Sequence, residues 1–468
     1  MSSNKDQWGS NFGFIMAAVG SAVGLGNIWG FPYKMGVSGG FAFLLIYLIL
    51  AAFVGFVIMF GELLIGRYTG KSVMGAYRQL SEKYTILGWF GFICPFLILS
   101  FYCSLGGYCL KYSIANLGDI FGAGWGVGGA EGGEYFVNFV TSTGQTVAFG
   151  AIFVLITMLI VIGGVSGGIE KFTTVAMPAL FVPLIIVIIR SCTLPGAGAG
   201  LAFMFGVNMQ PLQENFVGVL STAGGQMFFS LSLGMGCMIT YGSYLSKKEN
   251  LESNAVIIVI CDTLIALMAG MAVLPAVFAT GLEPSGGPGL LFMTLQNVFN
   301  SMGGFMGALF GFLFYFLVFI AAITSSISLL EVAAASVIDM QERKGKTGNR
   351  KTICIIEALI ILVLSSLVSA DSLGMGTLPQ PMGFCWLDFF DLWSEGILMP
   401  LGALCMSLIL GWKLGPQWIK AEQEAPEGGH KWAAAGFTMF CAKIIAPIGM
   451  LFILLGQLDS FFALGLFS

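Results

Sequence analysis

Apolar runs of about twenty residues recur from one end of this chain to the other, separated by short polar or Gly/Pro-rich breaks. Each run is long enough to cross a hydrocarbon core of roughly 30 Å as a helix. The pattern predicts eleven spans, near 11–36, 40–66, 86–116, 147–163, 168–190, 218–245, 253–280, 304–340, 352–370, 385–412 and 433–460. The expected class is an all-α polytopic membrane protein, organised as one transmembrane domain over 1–468 with no soluble appendage. The polar start before span 1 is too short for a cleavable signal, so the first helix is expected to remain.

Charge adds a direction. With the N-terminus in the cytoplasm, 16 of the 20 lysines and arginines fall in inner loops, among them Lys71, Lys247, Lys248, Arg350 and Lys413. That bias orients the chain, and an odd number of spans then puts the C-terminus outside. The outer loops carry Asp119, Glu131, Glu134, Glu283 and Asp371, and Glu283 to Met302 holds a Leu-rich stretch expected to form a short re-entrant helix, a plausible lid. Composition agrees: 57% of residues are hydrophobic and 9% charged, while the net charge of −4 says little about partners and suggests no nucleic acid. Ten scattered cysteines show neither metal-site nor disulfide spacing and are expected as packing residues.

Two helices carry interruptions. Span 1 reads Gly20-Ser-Ala-Val-Gly-Leu-Gly-Asn27 and span 6 reads Ser230-Leu-Ser-Leu-Gly-Met-Gly236, each with a Gly-x-Gly at mid-depth. A single such motif is often a packing device for close helices. Two of them, each in the first helix of a five-helix block, suggest spans 1–5 (about 11–190) and 6–10 (about 218–412) as inverted repeats, with the extra span at 433–460. Unwinding at the bilayer midplane frees amides and carbonyls, which is costly unless a ligand or ion satisfies them. A half-helix N-terminus suits a carboxylate, and freed carbonyls suit a cation. Asp262, Thr324, Ser325 and Ser326 reach the same depth. The carboxylate of Asp262 needs a partner there: a bound cation is expected, with Lys443 or hydroxyls as the alternative.

Enzyme motifs fail on context. Gly164-Val-Ser-Gly-Gly168 fits a hydrolase pattern, but the single histidine, His430, belongs to an inner loop away from it, and Gly124-Trp-Gly-Val-Gly-Gly129 lacks a flanking strand and helix.

The run Gly20-Ser-Ala-Val-Gly-Leu-Gly-Asn-Ile-Trp-Gly-Phe-Pro32, with Gln226-Met-Phe-Phe-Ser-Leu-Ser-Leu-Gly-Met-Gly236 and Ala321-Ala-Ile-Thr-Ser-Ser326, resembles the neurotransmitter:sodium symporter family, in its bacterial eleven-span branch. Paired helix interruptions mark transporter binding sites, a rule drawn in part from this same family. The resemblance implies a sodium-coupled symporter importing a neutral hydrophobic or aromatic L-amino acid by alternating access, in the bacterial inner membrane, as a monomer or weak dimer. A non-transporting sensor or channel on the same helices is the rival.

The resemblance implies two sodium ions. One would sit among the carbonyls of Gly20, Val23 and Ala321 and the hydroxyls of Thr324 and Ser325. The other would use Ala22, Asn27, Ser230 and Asp262 with the substrate carboxylate. That carboxylate would also meet the amides of Leu25 and Gly26 and the hydroxyl of Tyr102. The ammonium would meet the carbonyls of Ala22 and Phe229 and the hydroxyl of Ser232. Ile98, Tyr102, Phe229, Met235 and Leu329 would face the side chain, with Ser230 and Ser325 also at the substrate site. Chloride should not be required, since Asp262 supplies a fixed charge and Ala266 stands where chloride-dependent relatives have serine. Lys5 and Asp339, with Trp8 and Tyr244 beside them, match an inner gate. The outer gate departs from the family: Gly30 replaces an arginine, leaving Asp391 without that partner. Lys34, one helical turn on, is the expected substitute, and Gly30→Arg is expected to be tolerated.

Overall fold

The computed structural model describes residues 6–281, 284, 287–424 and 430–466. Nine helices in it are long and apolar enough to cross a membrane, and the pair Asn11–Ala22 and Gly26–Val37, bent by 47°, makes a tenth span. The remaining one is span 6, built from Phe216–Ser230 and Cys237–Gly242 on either side of a break. The eleven spans thus match the sequence pattern, with ends displaced by a few residues. Span 10 differs most: it runs over Trp386–Gln423, because a π-helical turn at Ile409–Leu414 and Gly415 bend it onward rather than end it.

Both predicted interruptions are present. In span 1 the regular helix stops at Ala22 and resumes as a π-turn at Gly26. In span 6 it stops at Ser230, and Ser232, Gly234 and Gly236 all have positive φ (54°, 78° and 81°). Glycine is required at Gly234, where a Cβ would also collide with the carbonyl of Met399 in span 10. Prolines inside spans 3, 5 and 7 (Pro95, Pro178, Pro183, Pro275) are accommodated without loss of the helix.

Spans 1 and 6 lie among spans 2, 3, 7 and 8, and their breaks come together at the centre of the bundle. On the face away from the basic loops, the predicted Leu-rich segment forms a helix over 290–302; Glu283 lies outside the described residues. Phe292 fixes it, stacking on Phe136 at 5.6 Å and on Tyr315 at 6.2 Å, while the indole of Trp29 donates to the carbonyl of Gly287 at 2.8 Å. On the basic face, buried Arg67 of span 2 pairs with Glu422 at 2.9 Å, and Lys247, just after span 6, reaches the same carboxylate at 2.5 Å. That cluster ties the ends of spans 2, 6 and 10.

Candidate functional site

A small, tightly closed cavity lies between the two breaks. Ala22, Gly26, Ile98, Tyr102, Phe229, Ser232, Met235, Ser325 and Leu329 line it, together with Ser21 and Gly24. Among the described residues no charged side chain lines it. The Leu25 amide donates to the Tyr102 hydroxyl at 3.0 Å, and the Ser325 hydroxyl lies beside it. Gly24 is needed for closeness: a Cβ there would strike the hydroxyls of Tyr102 and Ser325. Ser230 stands behind the cavity wall, its hydroxyl 2.9 Å from both carboxylate oxygens of Asp262.

Two oxygen clusters flank the cavity. In the first, the Thr324 hydroxyl is 2.9 Å from the carbonyl of Ala321 and 3.5 Å from that of Val23, and the Ser325 hydroxyl is 3.2 Å from that of Gly20. These five hard oxygens from spans 1 and 8 come from neighbouring residues in two hydrogen-bonded groups, and their type fits a hard cation. In the second, buried Asp262 accepts from the Asn27 amide at 2.7 Å, from Ser230, and from the Tyr47 hydroxyl at 3.1 Å. Ala22 lines the cavity beside it. A carboxylate with neutral oxygens around it also fits a sodium ion.

Several assignments change. Lys443 is not the partner of Asp262: its ammonium lies 6.0 Å from the centre of the Trp412 ring on span 10. Lys34 does form the outer ion pair, but with Glu395, one turn past Asp391. Gly30→Arg is not simply accommodated, since its Cβ would lie 2.9 Å from Oε1 of Gln226, whose amide is engaged at 2.7 Å with the carbonyl of Gly26. Lys5 lies outside the described residues. Asp339 is held instead by Lys71 at 3.3 Å and by the amide and hydroxyl of Ser72, both at 2.6 Å. Burial pulls the Lys71 ammonium down, but Asp339 and Glu342 outweigh it and hold it above its ordinary value.

Trp8 and Tyr244 are together as expected, the rings 6.2 Å apart, with the Trp8 indole donating to the carbonyl of Tyr241 at 3.0 Å. Beneath them lies a network that sequence reasoning missed. The Tyr244 hydroxyl donates to Glu331 at 2.6 Å, the other oxygen of Glu331 pairs with Arg350, and Arg350 reaches Asp6 at 3.4 Å. Also missed were Tyr47 and Glu62, the latter accepting from the freed amide of Gly234 at 2.8 Å. The signal was available: Glu62, Glu331 and Glu357 are ionisable residues inside apolar runs, as Asp262 is.

Comparison with known proteins follows the same outline. The model of the sodium:neurotransmitter symporter family matches residues 5–122 and 138–467. An uncharacterised sodium-dependent transporter of Bacillus subtilis (strain 168), YhdH, is 35% identical over 452 residues, covering 96% of this chain and 97% of its own. An uncharacterised sodium-dependent transporter of Methanocaldococcus jannaschii, MJ1319, is 31% identical over 88% of this chain and 82% of its own. The crystal structure of MhsT in complex with L-phenylalanine superposes with a TM-score of 0.86 at 38% identity, covering 97% of this chain and all of that one. Eleven spans, two facing helix breaks and these matches lead to one conclusion: the chain belongs to the sodium:neurotransmitter symporter family.

Proposed function

We propose that this protein imports a neutral hydrophobic or aromatic L-amino acid in symport with sodium, by alternating access. The observation that carries the reading is the cavity itself: polar backbone and hydroxyls at the breaks, apolar walls of Ile98, Phe229, Met235 and Leu329, and no charged side chain. The substrate carboxylate lies toward the amides of Leu25 and Gly26 and the Tyr102 hydroxyl, the ammonium toward the carbonyls of Ala22 and Phe229 and the Ser232 hydroxyl. MhsT, similar over nearly its whole length, was solved with L-phenylalanine. The adaptable thioether of Met235 argues for several related substrates rather than one.

Two sodium ions fit the two oxygen clusters. The one beside Asp262 would touch the substrate carboxylate, so that ion and amino acid raise each other's affinity. Asp262 supplies a fixed negative charge and Ala266 offers no hydroxyl, so transport proceeds without chloride. The face carrying the basic loops is cytoplasmic, with the N-terminus on that side and the C-terminus outside. Both breaks and both clusters belong to one chain, so a single copy is complete. The test is uptake of radiolabelled phenylalanine into proteoliposomes under an inward sodium gradient in chloride-free buffer, with leucine, alanine and glutamate as competitors. Sodium-dependent accumulation blocked by leucine but not by glutamate is expected; binding without accumulation would make the protein a sensor.

A further inference from the structure

Glu357 belongs to span 9, which runs over Arg350–Asp371, and it is buried. Neither of its carboxyl oxygens has a hydrogen-bond partner among the described residues, which is unusual for a buried acid. The charged groups acting on it are Glu331 of span 8 and Arg350, two turns earlier on its own helix, with the Cys354 thiol beside them. Spans 3 and 4 pack on its other sides. Span 4 contains no ionisable side chain, and span 3 offers only cysteines and tyrosines before Lys111.

Each nitrogen of Arg350 is already engaged. It pairs with Glu331, reaches Asp6 at 3.4 Å, and donates to the carbonyl of Val161 at 2.9 Å. Glu331 is fully engaged too, taking the Tyr244 hydroxyl at 2.6 Å on its other oxygen. One guanidinium cannot neutralise a second buried carboxylate that it does not touch. Like charges crowded away from water cannot both ionise, and the one without hydrogen bonds is the one that keeps a proton.

We propose that Glu357 is a proton-binding site of the inner closure. It holds a proton while Glu331 and Arg350 are paired and releases it to the cytoplasm when that pair opens. In the release step the carboxyl O–H bond breaks, the proton passes to entering water, and the carboxylate left behind faces an Arg350 freed from Glu331. The closed state then binds one more proton than the open state, so acid favours closure, and raising the cytoplasmic pH favours opening.

The idea rests on the basic face being the inner gate of a sodium-coupled carrier. Sodium-dependent phenylalanine binding, measured on the same purified full-length samples, separates failure of that reading from failure of the proton site. The direct test is infrared spectroscopy of the purified protein. A C=O stretch from a protonated buried acid is expected at neutral pH, absent in E357Q and retained in D262N; no band sensitive to E357Q would overturn the proposal. In proteoliposomes at fixed external pH, uptake should rise about threefold or more as the internal pH goes from about 6 to about 8, and E357Q should flatten that rise. The same internal-pH profile in wild type and E357Q would also overturn it. Should E357Q fold poorly, E357M, equally uncharged, takes its place in both measurements with the same expected outcomes.

Discussion

The two ends of the substrate path are closed by different means. On the outer side one ion pair, Lys34 to Glu395, bridges spans 1 and 10, with Lys34 20% and Glu395 10% exposed. On the basic side closure is layered. Trp8 packs edge-on against Phe14, Tyr241 and Tyr244 at 5.8, 5.1 and 6.2 Å, with the Tyr244–Glu331–Arg350 chain below it and Asp339 bound by Lys71 and Ser72 alongside. An isolated, partly exposed ion pair is worth less and is screened more by salt than one whose carboxylate, Glu331, is fully buried and would be stranded without its cation. The Lys34–Glu395 closure is therefore the easier one to open.

That contrast can be broken most sharply at Arg350. Arg350→Ala strands Glu331, which is fully buried, and should cost about 3–5 kcal/mol. We expect a clearly lower melting temperature and loss of uptake, with Arg350→Lys recovering part of the stability but not the forked contacts. A melt equal to wild type would mean that the inner layers are not coupled.

Trp8→Ala should act less severely, by about 2 kcal/mol, through three ring contacts and one hydrogen bond. The readout is labelling of Cys237, at the base of the span 6 break, by an aqueous thiol reagent in a background without the other nine cysteines. Faster labelling is expected, and an unchanged rate would place the seal below Trp8. The smallest effect is expected at the outer pair. Lys34→Ala and Glu395→Gln should each shift outer closure by about 1 kcal/mol, with a coupling between them that fades as salt is raised. Coupling that survives high salt would show the outer pair to be as protected as the inner network, and the contrast would fall.

Much of this molecule was legible in its residues. Apolar run length fixed the number of spans, because a lipid-crossing helix has little freedom in length or backbone pairing. The Gly-x-Gly motifs marked the breaks, since positive φ at Gly234 and Gly236 excludes most other residues. Asp262 announced itself as a carboxylate in an apolar helix. The partners did not. Whether Asp262 meets Lys443 or Asn27 and Tyr47, and whether Lys34 meets Asp391 or Glu395, depends on the rotation and tilt of whole helices, and a quarter turn exchanges one neighbour for another at no change in hydropathy.

The sequence by itself therefore determined the class, the spans and the two interruptions, because these follow from local backbone chemistry and from burial in lipid. Only the tertiary structure decided the pairing of the charges: Glu62 on the freed amide of Gly234, Glu331 between Tyr244 and Arg350, and Glu357 near them with no hydrogen-bond partner among the described residues. The reason is physical. In a membrane bundle a charged side chain is held by whichever group a neighbouring helix brings within about 3 Å, and that approach is set by packing between helices far apart in the chain.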